Sequence, residues 1–377
     1  MSPLAALVMT GLSVHLASAC MAAMPDATAF EITPQARLHL DYAAHDADVK
    51  SMEDDFLLRR AYFGVEGKLN DDWSFEATYG FSSVDPSFKD VSDDGAFKTV
   101  AVKYEGWQAG DVSIGQFKVP FGMEEMQSSN NISFAERSLP VDAFKLSRRL
   151  GVGLDRNRDR YTLVAMVFGG TIDDGNVGQG VATRFIFTPV RSAQAMLHLG
   201  LALNTEDPRG DVDFDTHPEY RVADVKFVNT GDLDHVDRVN RLGLEAAWQF
   251  GPLSVQTEWM RAELDRHAGS PDASLDGWYV AGSWVLSGES RGYKNGVFKG
   301  IKANRPGGAW ELSTRYSHID LDDGLVRGGE EDNFTLGLNY YANRHLRIMA
   351  NYIKVSSQRR GKSDDPAILL LRVQIVP

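Results

Sequence analysis

The side chains best placed to do chemistry in this sequence are cations set among alternating residues. Arg60 and Tyr62 share one parity of the run 55–69 with Glu66 and Lys68, whereas Phe63 and Val65 take the other. Arg315, like Lys103, Arg241, Arg347 and Arg372, takes the polar parity of its own run. A second group, Lys118, Arg137, Lys145, Arg148 and Arg149, flanks or lies within the irregular stretch 119–150. A guanidinium keeps its charge at any working pH and forks onto the oxygens of a phosphate or a carboxylate. Facing water together, these groups attract small oxyanions. The polar parity also carries Glu66, Glu76, Glu105, Glu245, Glu258 and Glu311. Each arginine is therefore equally able to pair with a neighbouring glutamate and stiffen a wall.

Catalytic chemistry finds less support. His39, His198 and His318 sit in alternating runs, and no serine motif accompanies them. The sequence holds no HExxH, no phosphate-binding glycine loop and no Cys/His cluster. The glycines of 175–180 follow aspartates rather than a buried strand, so a dinucleotide site is not expected. Asp211, Asp213 and Asp215, and Asp320, Asp322 and Asp323, have calcium-like spacing, but neither run completes the twelve-residue loop with its closing Glu. No catalytic residue, cofactor or metal ligand is assigned, and the chain is expected not to be an enzyme.

What must hold the cations is a set of strands. In Trp73-Ser74-Phe75-Glu76-Ala77-Thr78-Tyr79 and in Trp310-Glu311-Leu312-Ser313-Thr314-Arg315-Tyr316, apolar and polar residues alternate strictly. A period of two puts each set on its own face. Trp73, Trp248, Trp259 and Trp310 on one face, with Glu76, Glu245, Glu258 and Glu311 on the other, is the pattern of a transmembrane barrel. The runs 35–44, 55–69, 73–82, 97–106, 111–118, 151–157, 161–169, 179–188, 194–203, 238–249, 253–263, 276–287, 309–319, 332–342, 345–356 and 367–377 give about sixteen strands, each near the length a tilted strand needs to cross a bilayer. Short turns alternate with long loops, as bacterial barrels require. The connection 288–308 is the exception, because parity puts this long segment on the periplasmic side. The expected fold is all-β: a sixteen-stranded antiparallel transmembrane barrel whose third loop, 119–150, folds inward and narrows the pore.

The totals agree. A formal charge of −13 over 377 residues argues against a nucleic-acid partner. The acid gathers between strands, at 90–94, 204–237, 320–323 and 329–332, so it is read as solvated loops. Cys20 is the single cysteine, which excludes an intrachain disulfide. Residues 1–27 are read as a signal peptide of approximate end, with an apolar run and Ala17-Ser18-Ala19 as cleavage context, and 28–377 as the barrel. A lipidation site at Cys20 would need a Leu where Ala17 stands.

Four stretches resemble the phosphate-selective porin O and P family. They are Gly115 to Gly122, Ser128-Ser129-Asn130 through Arg137, Leu58-Arg59-Arg60-Ala61-Tyr62-Phe63-Gly64, and Trp310 through Ser317. Asn333 to Tyr340, ahead of a final hairpin, also fits, and the resemblance covers nearly the whole mature chain. It implies a trimeric porin of the Gram-negative outer membrane, with arginines lining the pore and a lysine–arginine constriction that binds phosphate or polyphosphate. By motif match, Arg60, Tyr62, Lys118 and Arg137 carry that role, and inward parity adds Arg315. The ending Gln374-Ile375-Val376-Pro377 departs from the terminal aromatic common in bacterial barrels.

The sequence is therefore read as a water-filled outer-membrane channel preferring phosphate or other small anions. Its other expected partners are outer-membrane lipid, lipopolysaccharide and two further copies of itself. A general or cation-preferring porin remains open, because the inward glutamates bring the lumen close to neutral. So does a structural or adhesive barrel without selective transport.

Overall fold

The computed structural model describes residues 30–81, 95–175, 177–192, 194–303 and 305–376; the expected signal peptide, Cys20 and the acidic run 90–94 lie outside the described residues. Sixteen antiparallel strands close into one barrel. They are β1 (Glu31–Asp46), β2 (Asp55–Lys68), β3 (Trp73–Gly80), β4 (Ala96–Tyr104), β5 (Asp111–Lys118), β6 (Arg148–Asn157), β7 (Tyr161–Phe168) and β8 (Gly178–Arg191), then β9 (Ala195–Pro208), β10 (Val236–Phe250), β11 (Leu253–Arg266), β12 (Ala273–Val285), β13 (Ala309–Asp323), β14 (Val326–Tyr341), β15 (Leu346–Arg359) and β16 (Ala367–Ile375). Each pairs with its sequence neighbours, and β1 closes on β16 from Leu38↔Ile375 to Asp46↔Ala367. Among the described residues closure leaves the barrel wall no unpaired sheet edge, which a chain in lipid requires because no water is there to satisfy it.

The alternation explains which face is which. Along β16, Leu369, Leu371, Val373 and Ile375 are exposed, while Ile368, Leu370, Arg372 and Gln374 between them are buried. Trp73, Trp248, Trp284 and Trp310 ring the outer surface near the short turns. Aromatic rings at that level sit at the membrane interface. The short turns, such as 69–72 and 342–345, mark the periplasmic end.

All sixteen expected strands are present, but three expected loops differ from their sequence reading. The acidic run 320–331 is mostly strand: β13 and β14 continue to a turn at Gly324 and Leu325. Its carboxylates accept main-chain N–H groups, Asp320 from Asp322, Asp322 from Gly329, and Asp323 from Ser274. The run 204–237 begins as β9, and its middle is not a solvated loop, because Thr216, His217, Glu219, Tyr220 and Arg221 are buried. The long periplasmic connection 286–308 carries a short hairpin at 293–298 and buries Val297 and Phe298.

These segments meet inside the barrel with the connection 119–147, which carries two short helices, α1 (Met123–Met126) and α2 (Leu139–Phe144). Val119, Phe121, Phe134, Leu139 and Phe144 of this connection pack with Met166, Phe214, Val228, Met260, Leu275 and Ile319 in one apolar cluster. Burying such side chains contributes about 1.5–3 kcal/mol each. The cluster fills the lumen on the side of β7–β13 and leaves open space along β1–β6.

Candidate functional site

That open space is a cavity of about 710 Å³, lined by Arg37, Arg60, Tyr62, Lys118, Arg137 and Arg148 among others. A neighbouring cavity of about 500 Å³ shares Arg37, Tyr62 and Arg148 and reaches Asn343 to Arg347 at the periplasmic turn. The elements position these groups by register. β1 and β2 pair Arg37 with Tyr62, and β5 and β6 pair Lys118 with Arg148, at the point where the chain leaves the wall.

The connection 119–147 is pinned across the lumen by polar contacts to several strands. The Glu136 carboxylate accepts from Arg59 at 2.9 Å through both oxygens, from Arg60 at 3.3 Å and from Arg372 at 2.5 Å. Burial alone would raise this carboxyl, but Arg59, Arg60 and Arg372 hold it well below the usual carboxylate range. On the far wall, Glu258 accepts the N–H groups of Met123 and Glu124 at 2.6 and 2.7 Å. Asn351 accepts from the Ala135 N–H at 2.8 Å, and Arg347 donates to the Ile132 carbonyl at 2.8 Å. Arg291, from the periplasmic connection, donates to the Asn131 carbonyl at 2.8 Å.

Four of the five expected site residues come together at the open cavity. Arg60 lines it while bound to Glu136. Tyr62 lies beneath the Arg37 guanidinium, 5.4 Å from ring centre to carbon, a cation–π contact. Lys118 and Arg137 both reach Glu125, at 3.7 and 2.9 Å. Burial opposes ionisation of Glu125, yet Arg137 and Lys118 lower its pKa, so it stays charged. Arg315 is not part of this group. It is fully buried, paired with Glu124 at 3.2 Å and Glu219 at 2.7 Å, and its guanidinium lies 4.3 Å from the Phe134 ring centre. Neither cavity reaches it. Arg241, Arg347 and Arg372 likewise pair with Glu206, Glu311 and Asp41.

Sequence reasoning missed Arg37. Its guanidinium donates to Ser129 at 2.8 Å and Ser128 at 3.2 Å, and no carboxylate pairs with it among the described residues. The parity that selects Arg60 would have found it, since Arg37, His39 and Asp41 alternate inward along β1. Arg148 was expected only as a loop cation. It opens β6 and donates to Thr99 at 3.3 Å, also without a carboxylate partner among the described residues.

A closed sixteen-stranded barrel with an apolar outer face, a charged interior and a constricted aqueous space defines an outer-membrane porin of a Gram-negative bacterium. Residues 32–376 match the model of the family described as "Phosphate-selective porin O and P", and the chain belongs to that family. It is similar to Porin O of Pseudomonas aeruginosa, 26% identical over 388 residues, spanning 90% of this chain and 87% of that one. Among solved structures it resembles the anion-selective porin from Comamonas acidovorans, with a TM-score of 0.61 at 12% identity, covering 92% of this chain and 100% of that one. It also resembles the trimer form of the outer-membrane protein OmpT of Vibrio cholerae, with a TM-score of 0.58 at 12% identity, covering 93% and 100%. At such identities the structural likeness speaks for the fold. Family membership makes the protein a porin channel.

Proposed function

We propose that the chain forms an anion-preferring diffusion passage that favours phosphate and related oxyanions. The observation that carries this reading is the pair Arg37 and Arg148. Both line the open cavity without a carboxylate partner among the described residues, and the nearby carboxylates Glu125 and Glu136 each hold two or three cations. The midsection is therefore left with an excess of fixed positive charge, in a space where the effective dielectric is lower than in bulk water. Arg60, Tyr62, Lys118 and Arg137 complete the proposed contact surface. The name of the family to which this chain belongs, its similarity to Porin O and the anion selectivity of the Comamonas porin support the same assignment.

A second reading has its own observation. Glu31, Glu66, Glu76, Glu105 and Asp155 line the periplasmic part of the same cavity. If these control permeation, the channel is cation-preferring. Reversal potentials in planar bilayers under a potassium chloride gradient separate the two by sign, and phosphate added to chloride should block the current only in the first case.

Assembly follows the same reasoning. The trimer form of OmpT and the family resemblance support a homotrimer, the apolar outer band supports lipid and lipopolysaccharide as neighbours, and residues 1–27 are assigned to export. Crosslinking in isolated outer membranes tests the oligomer.

A further inference from the structure

We propose that His235 and His267, at the extracellular rim, bind one divalent transition-metal ion of the zinc or copper type. His235 ends the long connection 209–235 just before β10, and His267 follows the last residue of β11. Their rings are 5.2 Å apart between centres and inclined by 76°. Two imidazoles that ligate one tetrahedral ion at about 2.0–2.1 Å place their ring centres about 5–6 Å apart. The pair already has that spacing.

A carboxylate also stands beside each ring. His235 Nδ1 lies 3.2 Å from an Asp234 carboxylate oxygen, and His267 Nδ1 lies 3.0 Å from one of Asp237. A carboxylate on Nδ1 fixes the tautomer that leaves Nε2 as the lone-pair donor, which is how metal-binding histidines are ordinarily oriented. Arg266 secures Asp234 in turn, donating to its carboxylate at 2.8 Å and to its carbonyl at 3.0 Å. The backbones are tied together as well, because the His267 N–H donates to the His235 carbonyl at 3.0 Å.

His235 has φ 56°, in the left-handed region that a side-chain-bearing residue seldom adopts. Its ring lies edge to face with that of His267. Both side chains remain about half exposed, so an ion can reach them. Asp232, Asp265 and Asp272 add negative charge to the same rim. Among the described residues no group of three or more metal-ligating side chains stands together, so water completes the shell. Imidazole ligands favour Zn²⁺, Cu²⁺ or Ni²⁺ over Ca²⁺ and Mg²⁺. A bound ion would staple the connection 209–235, which closes part of the lumen, to the β11–β12 hairpin.

The test is calorimetric titration of the refolded full-length porin in detergent with Zn²⁺. The expected result is saturable uptake of one ion per chain, undisturbed by excess Ca²⁺. His235→Gln with His267→Gln should abolish uptake, and Asp237→Asn should weaken it by about 10- to 100-fold. His345→Gln, at an exposed periplasmic histidine, should leave it unchanged. Wild-type conductance and heat-modifiable gel mobility verify that each variant is folded. If the double variant misfolds, Asp237→Asn decides the matter. Absence of saturable uptake by the wild type, or equal uptake by the double variant or by Asp237→Asn, would overturn the proposal and leave the two rings as a packing contact.

Discussion

Lys118 and Arg137 share one carboxylate: Glu125 stands 3.7 Å from the lysine ammonium and 2.9 Å from the arginine. The two cations expected from sequence to hold the permeating anion are thus already held by the protein. Glu125 fixes them in place and competes with any anion that arrives. Replacing it with Gln should leave both cations in the cavity and remove the competitor. Phosphate block of chloride current should then tighten about fivefold, on the order of 1 kcal/mol, and single-channel conductance in phosphate should fall as release slows. Weaker block would show instead that Glu125 acts mainly by positioning the two cations.

The contrast between Arg37 and Arg315 separates charges that act on the anion from charges that hold the wall. Arg37→Gln removes a cation held by Ser128, Ser129 and the Tyr62 ring, with no carboxylate partner among the described residues, so stability should change by about 1 kcal/mol while anion preference falls. Arg315→Gln leaves Glu124 and Glu219 buried and short of a partner. Breaking a buried pair from one side costs about 3–5 kcal/mol. That variant should lose heat resistance on gels, with any surviving channels keeping their reversal potential. If Arg315→Gln shifts selectivity as much as Arg37→Gln, the division between the two groups is wrong.

These two arginines also show what was legible in the sequence. Parity is a local property, so all sixteen strands and the inward orientation of Arg60, Tyr62 and Arg315 could be read from alternation alone. What faces an inward residue is not local. The partners of Arg315 come from the connections 119–147 and 209–235, and those of Glu136 come from β2 and β16. Alternation cannot distinguish an arginine that meets water from one that meets a folded-in loop. The acidic runs were misread for a related reason: Asp and Glu suggest solvent, yet Glu219 is buried because Arg315, Ser317 and Thr335 meet it.

The clamp between the two lumen connections should respond to acid. Asp142 on α2 accepts from Arg221 at 2.7 and 2.6 Å, and His217 packs beside it with Asp224 at 2.8 Å and Lys226 nearby. Burial, with Arg221 second, pushes His217 down to about 4. A histidine with a lowered folded pKa costs nothing above its ordinary value near 6.5. As pH falls from there toward 4, the unfolded segment takes up a proton that the folded one refuses, so stability drops by up to about 3 kcal/mol. Protection factors of the amides in 209–235, with the intrinsic exchange rate at each pH divided out, should therefore fall between pH 6.5 and 4. His217→Gln should flatten that slope. An unchanged slope in the variant would assign the acid response to other groups.

Surface labelling checks the topology, which alternation and the closed barrel place alike at both ends. The turn between β13 and β14 is two residues at Gly324 and Leu325, and Leu325 is 79% exposed. A short epitope inserted there should be labelled on intact cells, because this turn lies at the same end as the long connections. An epitope at Asp71 or Asp72, in the tight turn between β2 and β3, should be labelled only after permeabilisation. An epitope near Tyr220 should behave differently from both. That residue is fully buried against Met52, with its hydroxyl 3.0 Å from the sulfur, so the insertion should displace the connection from the lumen. Heat resistance should fall and conductance should rise together. Strong labelling near Tyr220 with unchanged conductance would mean that this connection lies outside the barrel and that something else closes that side of the lumen.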